Sequence, residues 1–244
     1  MSNFLAAAFD SVRRGALDVA RLALPQRCEL CAGPSATELV CTACMCDLPR
    51  IENACPVCAI PGLEGAVCGS CLALPPPFDA TVTAYAYAFP VDRLIQAYKY
   101  HGRLALAEWC ATAIVAARRR VSAPAPAHVI AMPLAVARQR ERGFNQAAEI
   151  VRQIAARMDV TVIETRVHRT RATAPQATLP WAERAANIRG AFTCSYDLAG
   201  LSVAVVDDVM TTGATLAEFA RTLKAAGAKR VENWVVARTP PPNR

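Results

Sequence analysis

The sequence predicts an α/β protein, a mainly parallel sheet flanked by helices, preceded by a small cysteine-rich module. Three observations carry that prediction. Runs of strand-forming residues alternate with segments of helical period from Thr81 to Ala237, a pattern that implies parallel strands joined by right-handed crossovers. The stretch Val203-Ala-Val-Val-Asp-Asp-Val-Met-Thr-Thr-Gly-Ala-Thr215 reads as a buried strand, two adjacent carboxylates, a hydroxyl- and glycine-bearing turn and a helix start. Nine of the eleven cysteines fall between positions 28 and 71. A chain of 244 residues accommodates one domain of ordinary size and a small one. The expected divisions are an amphipathic helix over 1–24, the cysteine module over 25–74 and the α/β domain over 79–244.

Taken in order, the opening segment spaces Phe4, Leu5, Phe9, Val12, Leu17 and Leu24 at roughly helical intervals. Asp10, Arg13 and Arg14 break any secretory h-region, so a cytoplasmic protein is expected. In that reducing setting cysteines read as metal ligands rather than disulfides. Eight of them form a repeat: Cys28-x2-Cys31, nine residues, Cys41-x2-Cys44, then Cys55-x2-Cys58, nine residues, Cys68-x2-Cys71. Each half offers four thiolates to one tetrahedral Zn²⁺. One or two structural zinc ions are expected, with sequential rather than interleaved ligand pairs. Four thiolates leave no open position for chemistry. Cys46 lies outside the repeat, and Cys110 and Cys194 sit among apolar residues as core positions.

Leu74-Pro-Pro-Pro-Phe78 is a stiff linker. Strands are expected over Thr81–Phe89, His128–Met132, Val160–Ile163, Val203–Val206 and Val231–Ala237. Helices are expected over Val91–Tyr100, Leu104–Arg120, Phe144–Met158, Trp181–Ile188 and Ala214–Ala226, the last stopped by Gly227. The uncharged run Val121–Ala137 is proline-rich and unsuited to spanning a membrane, and no stable membrane insertion is expected.

Formal charge is +7, and residues 91–190 alone carry 16 Lys/Arg against 7 Asp/Glu, a local +9 that leaves the remainder slightly acidic. Such asymmetry suits a polyanionic partner: pyrophosphate, nucleotide or nucleic acid. Arg118, Arg119 and Arg120 read instead as a solvated helix face.

The acidic doublet then sits at the carboxyl end of a strand, where open α/β sheets bind ligands. Ionised aspartates accept only, which suits ribose hydroxyls or hydrated Mg²⁺. The turn amides and the helix dipole favour a phosphate, and Gly213 admits close backbone approach. This segment resembles the signature of type I phosphoribosyltransferases, which bind 5-phosphoribosyl-1-pyrophosphate (PRPP). The resemblance implies ribose contacts for Asp207 and Asp208 and a 5′-phosphate cradle at Thr211, Thr212, Gly213, Ala214 and Thr215, with Mg²⁺ accompanying PRPP.

Three further pieces attract attention. Lys99-Tyr-His-Gly-Arg103 places two cations near a glycine turn; Arg138, Arg140 and Arg142 precede a helix after an early strand; Arg169-Thr170-Arg-Ala-Thr-Ala-Pro-Gln176 is a basic loop. With the cysteine module and the Arg140-Glu-Arg-Gly-Phe-Asn-Gln146 element, they resemble the ComF family, the competence-protein-F relatives of phosphoribosyltransferases, from about Pro25 onward. That resemblance implies a link to DNA uptake or use of external DNA. It places pyrophosphate near Arg138, Arg140 and Arg142, with Lys99 and Arg103 as secondary candidates. If the segment is helical, i and i+2 positions diverge and the three arginines do not share one ligand. The loop holding Arg169, Thr170 and Gln176 is either a lid or a solvated connector. Asn145 and Gln146 cap or brace the next helix. Alternative functions are a non-catalytic single-stranded nucleic-acid binder working with DNA-uptake proteins, and a PRPP-sensing adaptor. No base for an acceptor stands out among His101, His128 and His168.

Overall fold

The computed structural model describes residues 26–62, 65–163, 167–169 and 188–240. The expected helix over 1–24, most of that over Trp181–Ile188, and loop residues Thr170 and Gln176 lie outside them. The chain divides into two compact units, between Leu48 and Pro49.

Among the described residues, 26–48, the first unit is a single ribbon. Ala32 N–H donates to the Cys28 carbonyl and Cys28 N–H to the Gly33 carbonyl, closing a knuckle in which Ala32 takes a left-handed backbone. A short helix, α1 (Thr42–Cys46), carries the second cysteine pair. Cys41 N–H points at Cys28 Sγ, 3.3 Å away.

The second unit opens with the same arrangement 27 positions on: Ala59 N–H to Cys55 O, Cys55 N–H to Ile60 O, Cys68 N–H toward Cys55 Sγ. Its second pair rides on α2 (Gly69–Ala73). The expected cysteine module therefore spans the division, its second half folding with the sheet.

That sheet is five-stranded and parallel, ordered β1-β7-β6-β2-β3. Its strands are β1 (Ala80–Ala86), β2 (His128–Ala131), β3 (Thr161–Val162), β6 (Ser202–Met210) and β7 (Arg230–Arg238). A separate antiparallel ribbon pairs β4 (Val167–Arg169) with β5 (Phe192–Cys194). The outer edge of β1 is covered by residues 49–56 of the same unit: Arg50 bridges Tyr85, Ile51 N–H reaches Ala84 O and Thr81 N–H reaches Pro56 O. An open row of strand amides is thereby paired within the chain.

Helices α3 (Val91–Tyr100), α4 (Leu106–Arg119), α5 (Val136–Arg142), α6 (Gln146–Ala155) and α7 (Ala214–Ala225) complete the unit. α4 and α6 pack against one another on one face of the sheet. On the other, α7 buries Leu216, Phe219 and Leu223 against Val203, Val205, Val231 and Val235. Each such side chain removed from water is worth about 1.5–3 kcal/mol. β6 and β7 are covered on both faces, which is why they read as continuous apolar runs.

Three expectations change. β6 continues through the doublet to Met210 instead of ending at Val206, because β7 extends its ladder as far as the Met210–Arg238 pair. The basic segment after β2 forms its own short helix, and α6 starts at Gln146 rather than Phe144. Arg118 is 3% exposed, not solvated: its Nε lies 2.8 Å from Glu232 Oε1 and its terminal nitrogens donate to Val121 O and Ala123 O. Arg119 and Arg120 are exposed as expected.

Candidate ligand site at the end of β6

β2 stops pairing with β6 at the Ala131–Val206 pair, closed by Met132 N–H to Val206 O at 2.9 Å. Beyond it, β6 runs on with β7 on one side only. The acidic doublet is the first pair of residues past that point. A crevice at the carboxyl ends of the strands, between neighbours that leave β6 in opposite directions, is where this architecture receives ligands.

Adjacent strand residues face opposite sides, and the two aspartates have different surroundings. Asp208 is buried and its Oδ1 lies 2.7 Å from Lys99 Nζ. Asp207 is half-buried and uses Oδ1 to accept the Asp208 N–H at 2.9 Å. Burial, then the Asp208 charge, pushes the Asp207 carboxyl up to about 7, against the pull of Lys99 and Arg169. Burial works against the Lys99 ammonium, but Asp208 beside it holds it above its ordinary value.

The turn after β6 is built as its residues dictate. Thr212 Oγ1 accepts the Ala214 N–H at 3.1 Å, a local turn closed around Gly213, the N-cap of α7. Gly213 has φ 82°, and a Cβ there would lie 2.6 Å from Met210 Cε. The N–H groups of Gly213, Thr215 and Leu216 find no acceptor among the described residues. They form the open amide end of a twelve-residue helix, a favourable setting for an anion.

Of the basic candidates, Arg138 and Arg169 lie within electrostatic range of each other, and Arg169 of Asp207. Arg169 also stacks over Phe192, 5.9 Å from the ring centre. Arg138 and Arg142 share the half-buried face of α5 and Arg140 is exposed, the divergence that helical spacing requires. Arg142 is engaged elsewhere: its Nη1 donates to Gln146 Oε1 at 3.1 Å and its guanidinium sits 5.0 Å from the Tyr100 ring centre. Arg103 is exposed in the turn before α4. Asn145 caps α6 by accepting Ala147 N–H and donates to Met132 O, fixing the end of β2. A hollow of about 340 Å³ lies on the β2–β3 side, lined by Leu134, Gln139, Asn145, Arg152, His168 and Arg169 among others. The doublet does not line it.

Sequence reasoning put Lys99 on the basic face and missed its bond to Asp208. The signal was present: Val91, Leu94, Ile95 and Tyr98 form the buried face of α3, and Lys99 follows at a compatible spacing. Arg238, whose guanidinium touches the turn, was not singled out, although it is a charge at the end of an apolar strand.

Two groups of four cysteines, Cys28/Cys31/Cys41/Cys44 and Cys55/Cys58/Cys68/Cys71, each bring their sulfurs within 4.8 Å of one another. The pairing is sequential, as expected. Burial opposes ionisation of Cys55, but the N–H groups of Cys68, Cys58 and Val57 outweigh it and bring the thiol down to about 7. Cys28 falls to about 6 in the same way, through Cys31, Cys41 and Leu30. Burial pushes Cys58 up to about 11 and raises Cys71 as well, and a coordinated Zn²⁺ would ionise such thiols; closed sets of four soft ligands suit it. Mg²⁺ has no comparable cage: no third carboxylate joins the doublet among the described residues, and Asp208 is already paired to Lys99. Cys110 is buried, Cys194 half-buried and Cys46 exposed.

Residues 135–242 match the family model described as phosphoribosyl transferase domain, and 19–72 match that of the double zinc ribbon domain. The DNA utilization protein YhgH of Salmonella typhi is 33% identical over 225 residues, covering 89% of this chain and 99% of its own. Competence protein F of Haemophilus influenzae is 31% identical over 170 residues, 67% of this chain and 74% of its own. A solved hypoxanthine-guanine phosphoribosyltransferase of Bacillus anthracis covers 55% of this chain and 68% of its own at 15% identity and a TM-score of 0.33, too weak a likeness to bear on function.

Proposed function

This chain belongs to the ComF family, and from that premise we propose that it binds PRPP, or a closely related phosphorylated ribose, in the service of DNA uptake or the use of external DNA. The observation that carries the reading is the conjunction at the end of β6. An acidic doublet stands beside a turn whose amides are open, just where β2 withdraws. Asp207 and Asp208 accept from the ribose hydroxyls. Thr211, Thr212, Gly213, Ala214 and Thr215 surround the 5′-phosphate with the amide end of α7. Arg138 and Arg169 face the pyrophosphate, near Asp207, while Arg140 and Arg103 are exposed and Arg142 is held by Gln146 and Tyr100; arginine forks suit such oxygens. Mg²⁺, where it takes part, arrives on the diphosphate oxygens, and no step depends on it here. Zinc, one ion in each cysteine cluster, supplies structural closure. Thiolate clusters of this kind belong in a reducing compartment, which favours the cytoplasm. No helix among the described residues is long and apolar enough to cross a membrane.

Turnover would break the bond from ribose C1 to pyrophosphate, whose oxygen leaves with the electron pair, and form one from C1 to an acceptor that gives up a proton. The chain would contribute positioning and stabilisation of the departing charge.

The test is calorimetric titration of the full chain with PRPP in the presence of Mg²⁺. A saturable isotherm is expected, lost in Asp207→Asn/Asp208→Asn. Absence of binding by a folded wild-type protein rejects the reading. A second reading, single-stranded DNA binding, is favoured by Tyr100, 65% exposed with Arg142 over its ring. It predicts binding that weakens with salt and with charge reversal at Arg138, Arg140 or Arg142. A PRPP isotherm with no DNA response removes it.

A further inference from the structure

Arg238 ends β7, and it is 3% exposed. Its Nε donates to the Cys58 carbonyl at 2.8 Å. Its Nη1 donates to Met210 O at 3.1 Å, to Thr239 O at 2.7 Å and to Thr211 O. Cys58 belongs to the knuckle of the second cysteine cluster, and Thr211 opens the turn after the acidic doublet. One planar cation thus holds a metal knuckle and a ligand turn together. Below it, Phe78 and Met210 share a buried cluster with Cys55, Cys58, Cys68 and Cys71. Both also approach Gly213.

The charge of Arg238 is unusual in its setting. No carboxylate pairs with it among the described residues; it donates to the carbonyls of Cys58, Met210, Thr211 and Thr239. A buried cation needs compensation. The thiols of Cys58, Cys68 and Cys71 lie within its electrostatic reach. Four thiolates around one Zn²⁺ carry a net −2, the counter-charge this guanidinium lacks.

We propose that Arg238 couples zinc binding at Cys55, Cys58, Cys68 and Cys71 to phosphoribosyl binding at the Thr211–Thr215 turn, so that each ligand tightens the other's hold. The inference rests on the PRPP reading above. Zinc fixes the Cys58 carbonyl. Arg238, anchored there, holds the Thr211 carbonyl back into the protein, which leaves the following amides facing outward. A knuckle without metal releases that anchor and lets the turn reorient. Linkage makes the effect reciprocal: PRPP must strengthen zinc retention by the factor by which zinc strengthens PRPP binding.

The test uses full-length zinc-loaded protein at constant Mg²⁺, with zinc extracted by a colorimetric chelator with and without PRPP, and PRPP binding followed by calorimetry. PRPP is expected to make one zinc equivalent about 5–10-fold harder to extract, within the usual range of such couplings. Free PRPP competes for zinc, so its direct effect has the opposite sign. In Arg238→Gln both zinc ions are retained and the protection disappears. Arg238→Lys does not restore it, since one ammonium cannot span two carbonyls as the guanidinium fork does. A PRPP isotherm with unchanged zinc extraction overturns the coupling and leaves the PRPP reading intact; no isotherm overturns both. Protection that persists in Arg238→Gln overturns the role of Arg238. If that variant fails to fold, the wild-type comparison alone decides.

Discussion

Asp207 carries a pH dependence whose sign is opposite to that of an ordinary salt-bridged carboxylate. Its pKa is raised from 3.8 to about 7 in the folded chain. Between those values the folded state binds more protons than the unfolded one, so stability falls as pH rises through that window. Asp207→Asn should therefore raise the Tm of the ligand-free protein at pH 8, by about 2–4 °C for each kcal/mol relieved, and change it little at pH 4; melting curves at the two pH values check this. PRPP affinity should rise with pH through about 7 as the acceptor ionises, and that component should vanish in the same variant. Arg118 is the second sensitive residue. Glu232 is 1% exposed and also accepts from Trp234 Nε1 at 2.8 Å. Arg118→Met leaves that carboxylate buried beside only Arg230, 3.5 Å away, and should cost about 3–5 kcal/mol by denaturant titration. Sequence alone showed the doublet, because two acids after an apolar strand are conspicuous. It did not show that Lys99 pairs with Asp208 or that Arg238 grips the following turn, because each is an isolated charge whose meaning depends on another element brought to it by folding.

At the scale of elements, the sheet and its helices were legible where period and punctuation agree. α3, α4 and α7 lie within the expected spans, and the Gly227 stop is real. Gly227 has φ 96°, its N–H returns to Lys224 O, and a Cβ would lie 2.9 Å from Ala199 backbone atoms. Backbone cannot step aside as a side chain can, so Gly227→Ala should destabilise by about 1–2 kcal/mol, measured by chemical denaturation. The extent of β6 was not legible. Where a strand ends depends on whether its neighbour continues, and β7 continues while β2 does not. The doublet thus owes its position to an unequal pair of neighbours. α5 escaped detection because its residues Val136–Arg142 present no buried face, so no apolar period marks it.

For the whole molecule, the sequence gives equal weight to two cysteine repeats, but the fold does not. Among the described residues, the first lies in a unit of its own over 26–48, and the second folds with the sheet. Residues 49–56 pair along β1, so a chain cut to 79–244 would carry a bare parallel edge. Such an edge recruits other strands. The truncated protein should self-associate in light scattering at concentrations where the full chain does not, and a shorter cut that keeps 49–244 should restore dispersity.

The sealing of β1 by a cysteine-bearing segment has a consequence for how the protein would fail in a cell starved of zinc. Loss of ions from that segment would do more than slacken a knuckle: it would uncover adhesive backbone along an entire flank. Metal scarcity would then be read out twice, as clumping and as a slackened turn at the end of β6.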